Sequence, residues 1–142
     1  FKERIGAFMT NDELIDKLNN FFPVFREIHG EHDGIYLIFG GFGTFFADLI
    51  NLYGSGKVDE KSYFSQNIAS IYKDKDILIK EIKNIFSFVD DLFLYQGDDV
   101  KDILNTCIFE AIMGSDYSYN LARKYLSKET YNHYLEITKR VI

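Results

Sequence analysis

The stretch that decides the fold is Ile77–Ile112, ILIKEIKNIFSFVDDLFLYQGDDVKDILNTCIFEAI, which we interpret as two helices packed antiparallel. Its first half carries apolar residues at spacings of four, three, four and three: Leu78, Ile82, Ile85, Val89 and Leu92. This spacing places them along one face of a helix. Gly97 is predicted to end that helix in the left-handed conformation, and a second helix from Asp98 would bury Val100, Leu104, Cys107 and Ala111. A seam this regular predicts the core of a helical domain and indicates no chemistry.

Length and composition predict one folded domain over residues 1–142. The chain has 142 residues, of which 46% are hydrophobic and 17% aromatic, whereas disordered segments contain few aromatic residues. A domain of this size buries roughly 68% of the surface that its unfolded chain exposes, which is enough for a sizeable core. Residues 1–9 are expected either to belong to the domain or to form a flexible leader, in which case Phe1–Phe8 would be a leader or tag remnant.

Helix signals along the rest of the chain predict seven or eight helices with short connections. The segment Thr10–Glu13 is typical of a capping box, and Pro23 of a helix start. Residues 35–43 are apolar but have no partner strand, so we predict a turn there, with a helix from Gly43. Further helix starts are predicted at Asp59, at Asp74 or Lys75, at Ser115 or Asp116, and at Ser127. The expected fold is therefore all-α, a compact bundle of seven or eight helices around a central antiparallel helical hairpin.

Three mostly apolar segments are residues 39–50 (FGGFGTFFADLI), 85–90 (IFSFVD) and 103–112 (ILNTCIFEAI). Together they resemble an uncharacterised family of small all-helical bacterial proteins, a domain of unknown function, over a range from about Leu14 to Ile137. This resemblance implies a helical fold and a bacterial origin, and it carries no established activity. A looser similarity to small helical toxin-immunity proteins implies binding to a partner protein.

Acidic residues are concentrated in the second half of the chain. Between Asn84 and Ala122 there are seven acids and one base, Lys101, a balance that equals the net charge of −6 of the whole chain. Five of these acids flank the turn of the hairpin and are predicted to cluster at one end of it: Asp90, Asp91, Asp98, Asp99 and Asp102. A helix N-terminus accounts for Asp98 and Asp99, but nothing local accounts for the other three.

An acidic patch of this kind predicts binding to a basic surface on another protein. It disfavours nucleic acid as a partner, because nucleic-acid binding requires a basic face. The first expectation is therefore a protein–protein interaction module, with a toxin-immunity protein as its specific form.

A metal-dependent enzyme or a metal-binding protein is the alternative function. His29 and His32, with Glu31 and Asp33, carry the imidazole and carboxylate groups that bind metals, and they are predicted to lie in a polar loop. Three carboxylates on separate predicted helices could converge on a metal or form a catalytic pair: Asp48, Asp90 and Glu110. The sequence contains no nucleophile–base pair and no strong ligand motif, so no cofactor is expected, and an enzyme is expected less than an interaction protein.

The glycine-rich segment Gly40–Gly43 is interpreted as a site of close helix approach or a turn. It lacks the third glycine of the dinucleotide-binding fingerprint, and it lacks the lysine that follows the glycine in a P-loop. Nucleotide binding is therefore not expected here.

The remaining features predict a cytoplasmic protein without a membrane segment. No apolar run is expected to reach the roughly 20 residues of a membrane span, and no basic-then-apolar signal segment is found. The single cysteine, Cys107, cannot form an internal disulfide. It is predicted to be buried and unreactive, because apolar surroundings raise the pKa of a thiol. The oligomeric state stays open.

Overall fold

The computed structural model describes residues 8–30 and 34–140, and within these ranges the secondary structure is helical, with no strand. A π-helical segment, Leu104–Phe109, continues the sixth helix directly and is called the π segment below. The predicted all-α class is thereby confirmed. The helices are α1 (Asn11–Phe21), α2 (Pro23–His29), α3 (Ile35–Ser55), α4 (Ser65–Ile71), α5 (Lys75–Tyr95), α6 (Asp98–Ile103), α7 (Asp116–Tyr125) and α8 (Lys128–Ile137).

Several helix boundaries follow directly from local side-chain chemistry. The Thr10 hydroxyl accepts a hydrogen bond from the Glu13 amide, and the Glu13 carboxylate accepts one from the Thr10 amide, so the capping box is confirmed. Asp74 caps α5 and Ser127 caps α8, each by accepting a hydrogen bond from a backbone amide of the first turn. Pro23 is the first residue of α2, where its missing amide hydrogen costs nothing.

Two predicted boundary residues have other roles. Asp59 does not cap α4, which begins at Ser65; its carboxylate instead accepts a hydrogen bond from the Lys61 amide in the preceding turn. Gly97 is not left-handed, since its φ is −85°, and it occupies the N-cap position of α6 in an extended conformation. Asp98 begins α6 as predicted.

Helix α3 begins at Ile35, so the predicted turn over residues 35–43 is wrong. These residues form the first two turns of a 21-residue helix. The helix packs against α1, α2, α4, α5, α7 and the π segment. It therefore lies at the centre of the bundle, with the α5–α6 hairpin on one side of it.

The hairpin buries the predicted seam with one exception. Leu78, Ile82, Ile85, Val89 and Leu92 on α5 are all buried, as are Val100, Leu104 and Cys107. Ala111 is exposed, because the helix ends before it and residues 110–114 form turns. The seam therefore stops within the π segment, except for the buried Ile112 beyond it.

Phenylalanine rings fill the space between α3 and its neighbours. Phe42 is fully buried, and its ring centroid lies 5.0 Å from that of Phe22 and 5.1 Å from that of Phe25. Phe39, Phe45 and Phe88 complete the cluster around it. Edge-to-face and tilted ring pairs of this kind add to the free energy of burial.

Helix α3 is long and apolar enough to cross a membrane, judged by length and composition alone. Its most apolar window has a mean hydropathy of 1.5, and 56% of that window is buried within the protein. This finding corrects the expectation that no apolar run reaches the length of a span. It is weak evidence for a membrane segment, because the central helix of a globular domain passes the same test.

Met9 belongs to the folded body although it was expected to be part of a possible leader. Its side chain is buried, and its amide donates a hydrogen bond of 2.8 Å to Oε1 of the buried Gln96. Residues 1–7 of the possible leader lie outside the described residues.

Candidate functional site

Three of the five predicted partner-binding carboxylates lie on the exposed side of α6. Asp98 and Asp99 occupy the first turn of the helix, where the aligned peptide dipoles favour negative charge. Asp102 lies one turn further along, and all three are exposed. We call Asp98, Asp99 and Asp102 the acidic edge.

Asp90 and Asp91 have different surroundings. Oδ1 of Asp90 accepts hydrogen bonds from the Ser127 amide (3.1 Å) and the Ser127 hydroxyl (2.8 Å), so this carboxylate joins α5 to the start of α8. The expectation that Asp90 lacks an internal role is therefore wrong. Asp91 lines a separate cleft with Phe21 and Phe88 between α1 and α5. The five carboxylates thus have three different surroundings: the exposed side of α6, the contact with Ser127, and the cleft beside Phe21 and Phe88.

An apolar cleft of about 380 Å³ opens on the side of α3. Its rim carries large side chains that are unusually exposed: Tyr36 at 51%, Leu37 at 55% and Tyr63 at 72%. Adjacent exposed apolar side chains of this size are typical of binding surfaces. We call this the α3 cleft, and its lining residues are His29, Tyr36, Leu37, Gly40, Gly41, Thr44, Tyr63 and Phe64.

A smaller cleft of about 200 Å³ lies at the acidic edge and shares one lining residue, Tyr36, with the α3 cleft. It is lined by Asp99 and Asp102 together with Ile35 and Tyr36. Because Tyr36 lines both clefts, the apolar surface of the α3 cleft lies next to the carboxylates of Asp99 and Asp102. No local pattern in the sequence indicates this arrangement, because α3 and α6 are distant in the chain.

Glycines within α3 allow close packing at three of four positions. A Cβ on Gly41 would overlap the His29 ring, one on Gly43 would overlap the Cys107 carbonyl oxygen, and one on Gly54 would overlap the Tyr117 ring. The predicted close approach of helices is therefore confirmed for the glycine-rich segment. Gly40 differs, because no described residue outside the adjoining turns of α3 lies within 4 Å of the position of its missing Cβ.

His29 is a core residue and does not lie in a polar loop as predicted. It is the last residue of α2, it is buried, and its ring stacks on Phe25 at 4.8 Å between centroids. The other candidate ligands, Glu31, His32 and Asp33, lie outside the described residues. Within residues 8–30 and 34–140, no group of three or more His, Cys, Asp or Glu side chains is arranged to hold a metal ion.

Asp48, Asp90 and Glu110 do not converge. Asp48 is buried on α3, where the Ser62 hydroxyl donates a hydrogen bond to its Oδ2. Burial raises the pKa of this carboxyl above its ordinary value, although the hydrogen bond from Ser62 opposes the shift. Asp90 is bonded to Ser127, and Glu110 is exposed beyond the end of the π segment.

Cys107 is buried in the π segment, as predicted. Its thiol donates a long hydrogen bond of 3.8 Å to the Tyr36 carbonyl oxygen at the start of α3. Burial raises the thiol pKa, and the nearby charge of Glu110 raises it further, so the thiolate form is disfavoured. The side chain thus supports the backbone beneath the rim of the α3 cleft. Its lack of reactivity stays a prediction.

A wider cleft of about 760 Å³ lies between the end of α3 and α4. Its polar lining includes Lys57, Glu60 and Lys73, which are exposed side chains. Tyr72 also lines it, and burial and a hydrogen bond to Glu81 raise the pKa of its hydroxyl, so the proton stays on the oxygen. It therefore offers no reactive constellation among the described residues.

Comparison with known proteins identifies a family and no activity. The family model described as "Domain of unknown function (DUF7674)" matches residues 63–141, which is more than half of the chain. No curated protein and no solved structure is significantly similar to the chain. The matched range contains α4–α8 and the acidic edge, and it is narrower than the expected Leu14–Ile137. The chain belongs to this helical family, the domain of unknown function DUF7674.

Proposed function

We propose that this protein is an interaction module that binds a basic region of another protein through the acidic edge. The observation that carries the proposal is the shared cleft in which Asp99 and Asp102 lie beside Ile35 and Tyr36. Charged groups next to exposed apolar surface are typical of a protein interface, where a polar rim surrounds an apolar centre. A toxin-immunity protein would be one specific form of this function.

The acidic edge is suited to guiding a partner during encounter. Exposed carboxylates of one sign raise the local concentration of a positively charged partner and increase the association rate. Asp98, Asp99 and Asp102 are exposed and close in sequence, and only Lys101 lies among them as a counter-charge. Lys101 is itself directed towards the Phe93 ring, at 4.8 Å from the centroid, so the carboxylates dominate this end of α6.

Asp90 is left out of the test variant because its carboxylate accepts hydrogen bonds from Ser127, the N-cap residue of α8. A variant that includes Asp90 would change the α5–α8 contact together with the surface charge. Asp91 lines another cleft, with Phe21 and Phe88, and is left unchanged so that the variant alters the acidic edge alone. The variant that tests the proposal therefore carries Asp98→Asn, Asp99→Asn and Asp102→Asn.

We expect this triple variant to associate with the partner on the order of tenfold more slowly at low ionic strength. The difference should shrink at about 0.15 M salt, where charges are screened beyond about 8 Å. The partner is first captured from the native cell by cross-linking and purified, and association rates are then measured by stopped-flow fluorescence at both ionic strengths.

A second triple variant of equal charge change serves as the control. Asp16→Asn, Glu27→Gln and Glu129→Gln remove three exposed carboxylates from α1, α2 and α8. The control should retain most of the native association rate. Equal rates for the native protein and the acidic-edge variant would show that Asp98, Asp99 and Asp102 are ordinary solvated surface.

A further inference from the structure

Gly40 is a glycine inside a helix, and its packing against the described residues does not require a glycine. Glycine is less favourable than alanine in a helix interior, because it loses more backbone freedom on folding. Gly41, Gly43 and Gly54 offset that disadvantage by allowing contact with His29, Cys107 and Tyr117. At Gly40 no described residue outside the adjoining turns of α3 lies within 4 Å of the missing Cβ, and the position opens into the α3 cleft. A contact from outside the chain would explain the glycine.

The exposed strip around Gly40 is long enough to lie against about two turns of a partner helix. Tyr36, Gly40 and Thr44 follow one another at spacings of four residues, so they span about 12 Å along α3. The Thr44 hydroxyl donates a hydrogen bond to the Gly40 carbonyl oxygen at 3.2 Å. The hydroxyl therefore keeps an acceptor when an apolar partner covers it. Exposed Leu37 and Tyr63 provide apolar contact beside the strip.

We propose that the α3 cleft binds an amphipathic helix of the partner, with its closest backbone approach at Gly40 and its basic residues at Asp99 and Asp102. The inference deepens the proposed function and rests on it. Charge complementarity selects this occupant, because Tyr36 lines both the α3 cleft and the cleft that contains those two carboxylates. An apolar helix face in a groove is a general mode of peptide recognition, and basic residues at one end fix its direction.

The test uses a displayed library of helical peptides of about 14 residues, roughly 21 Å long. The library is selected on the native protein, and the enriched peptides are then measured against variants by fluorescence anisotropy. Gly40→Leu fills the groove, and we expect it to weaken the enriched peptides by at least about tenfold. Ser70→Leu adds the same side chain at an exposed position of α4 and should leave the affinities unchanged.

A milder variant separates the role in binding from a role in folding. Gly40→Ala should raise the melting temperature by about 3 °C, because alanine favours the helix and no described atom obstructs its Cβ. The same variant should weaken the selected peptides several-fold by lifting them from the α3 backbone. A purely structural glycine would not make stability and affinity change in opposite directions.

The outcomes of the selection distinguish the alternatives. Enriched peptides that carry Lys or Arg at one end, and that lose affinity on Gly40→Leu, support the inference. No enrichment, or peptides that tolerate Gly40→Leu, overturns it. Dimerisation of the native chain that Gly40→Leu abolishes would overturn it in favour of a second copy as the occupant. Peptides without basic residues that still depend on Gly40 would support the groove and overturn the proposed function.

Discussion

Gly43→Ala is expected to lower the free energy of unfolding by about 3 kcal/mol. The added Cβ would overlap the carbonyl oxygen of Cys107, a backbone atom of the π segment that no side-chain rotation can move away. Helix α3 and the π segment must then separate, which loosens the Phe and Ile side chains packed between them. The better helix propensity of alanine recovers about 1 kcal/mol at most. Urea unfolding followed by circular dichroism measures the change.

Gly40→Ala provides the matched control for this prediction. It makes the same substitution on the same helix, three residues away, at a position with open space. Its expected effect is a gain of about 0.5–1 kcal/mol. If both alanine variants were equally stable, the close contact between α3 and the π segment at Gly43 would be contradicted.

Phe42→Ala is expected to destabilise the protein by about 3–5 kcal/mol. The ring is fully buried and contacts five other phenylalanine rings, so its removal leaves a cavity that rigid neighbours fill poorly. The loss combines the transfer free energy of the ring with the cost of the cavity. Thermal and urea unfolding of the native and variant proteins measure the difference.

Phe21→Ala is the aromatic control for Phe42→Ala. Phe21 lies at the end of α1 with 51% of its surface exposed, and its ring contacts that of Phe88 at 6.0 Å between centroids. Its replacement should cost about 1 kcal/mol, mostly from the lost ring pair. A loss for Phe42→Ala as small as this would mean that the phenylalanine cluster around α3 is not the core.

The α5 boundaries and core face could be predicted because the sequence of this helix is amphipathic. Leu78, Ile82 and Ile85 recur at helical spacing, and Lys80 and Lys83 mark the exposed face between them. Local caps could be predicted for a similar reason, since Thr10 and its partner Glu13 are only three residues apart. In both cases the deciding interactions are short-range.

The start of α3 could not be predicted because apolar residues lie on both its buried and its exposed sides: Ile38 and Phe39 are buried, and Tyr36 and Leu37 are exposed. A helix with apolar residues on both sides lacks the alternation of apolar and polar residues that identifies a helix in sequence. Its glycines added to the difficulty, since isolated glycines normally argue against a helix interior. They are accommodated because His29 and the Cys107 carbonyl occupy the space that side chains would fill.

The acidic residues of the candidate site could be predicted from the sequence, but the cleft in which they lie could not. The exposure of Asp98 and Asp99 follows from their position at a helix N-terminus. The role of Asp90 depends on Ser127, which is 37 residues away, so no local pattern reveals it. The same holds for the cleft that brings Tyr36 next to Asp99 and Asp102, because the fold alone unites those helices.

The exposed strip of α3 and the acidic edge should form one binding surface. Titrating the ¹⁵N-labelled protein with the tightest selected helical peptide, and following the amide chemical shifts by NMR, tests this most directly. We expect the largest shifts to fall within residues 36–44 and 98–102 together. Largest shifts at Lys57, Glu60 and Lys73 of the wider cleft, with little change at Gly40 and Asp99, would contradict it.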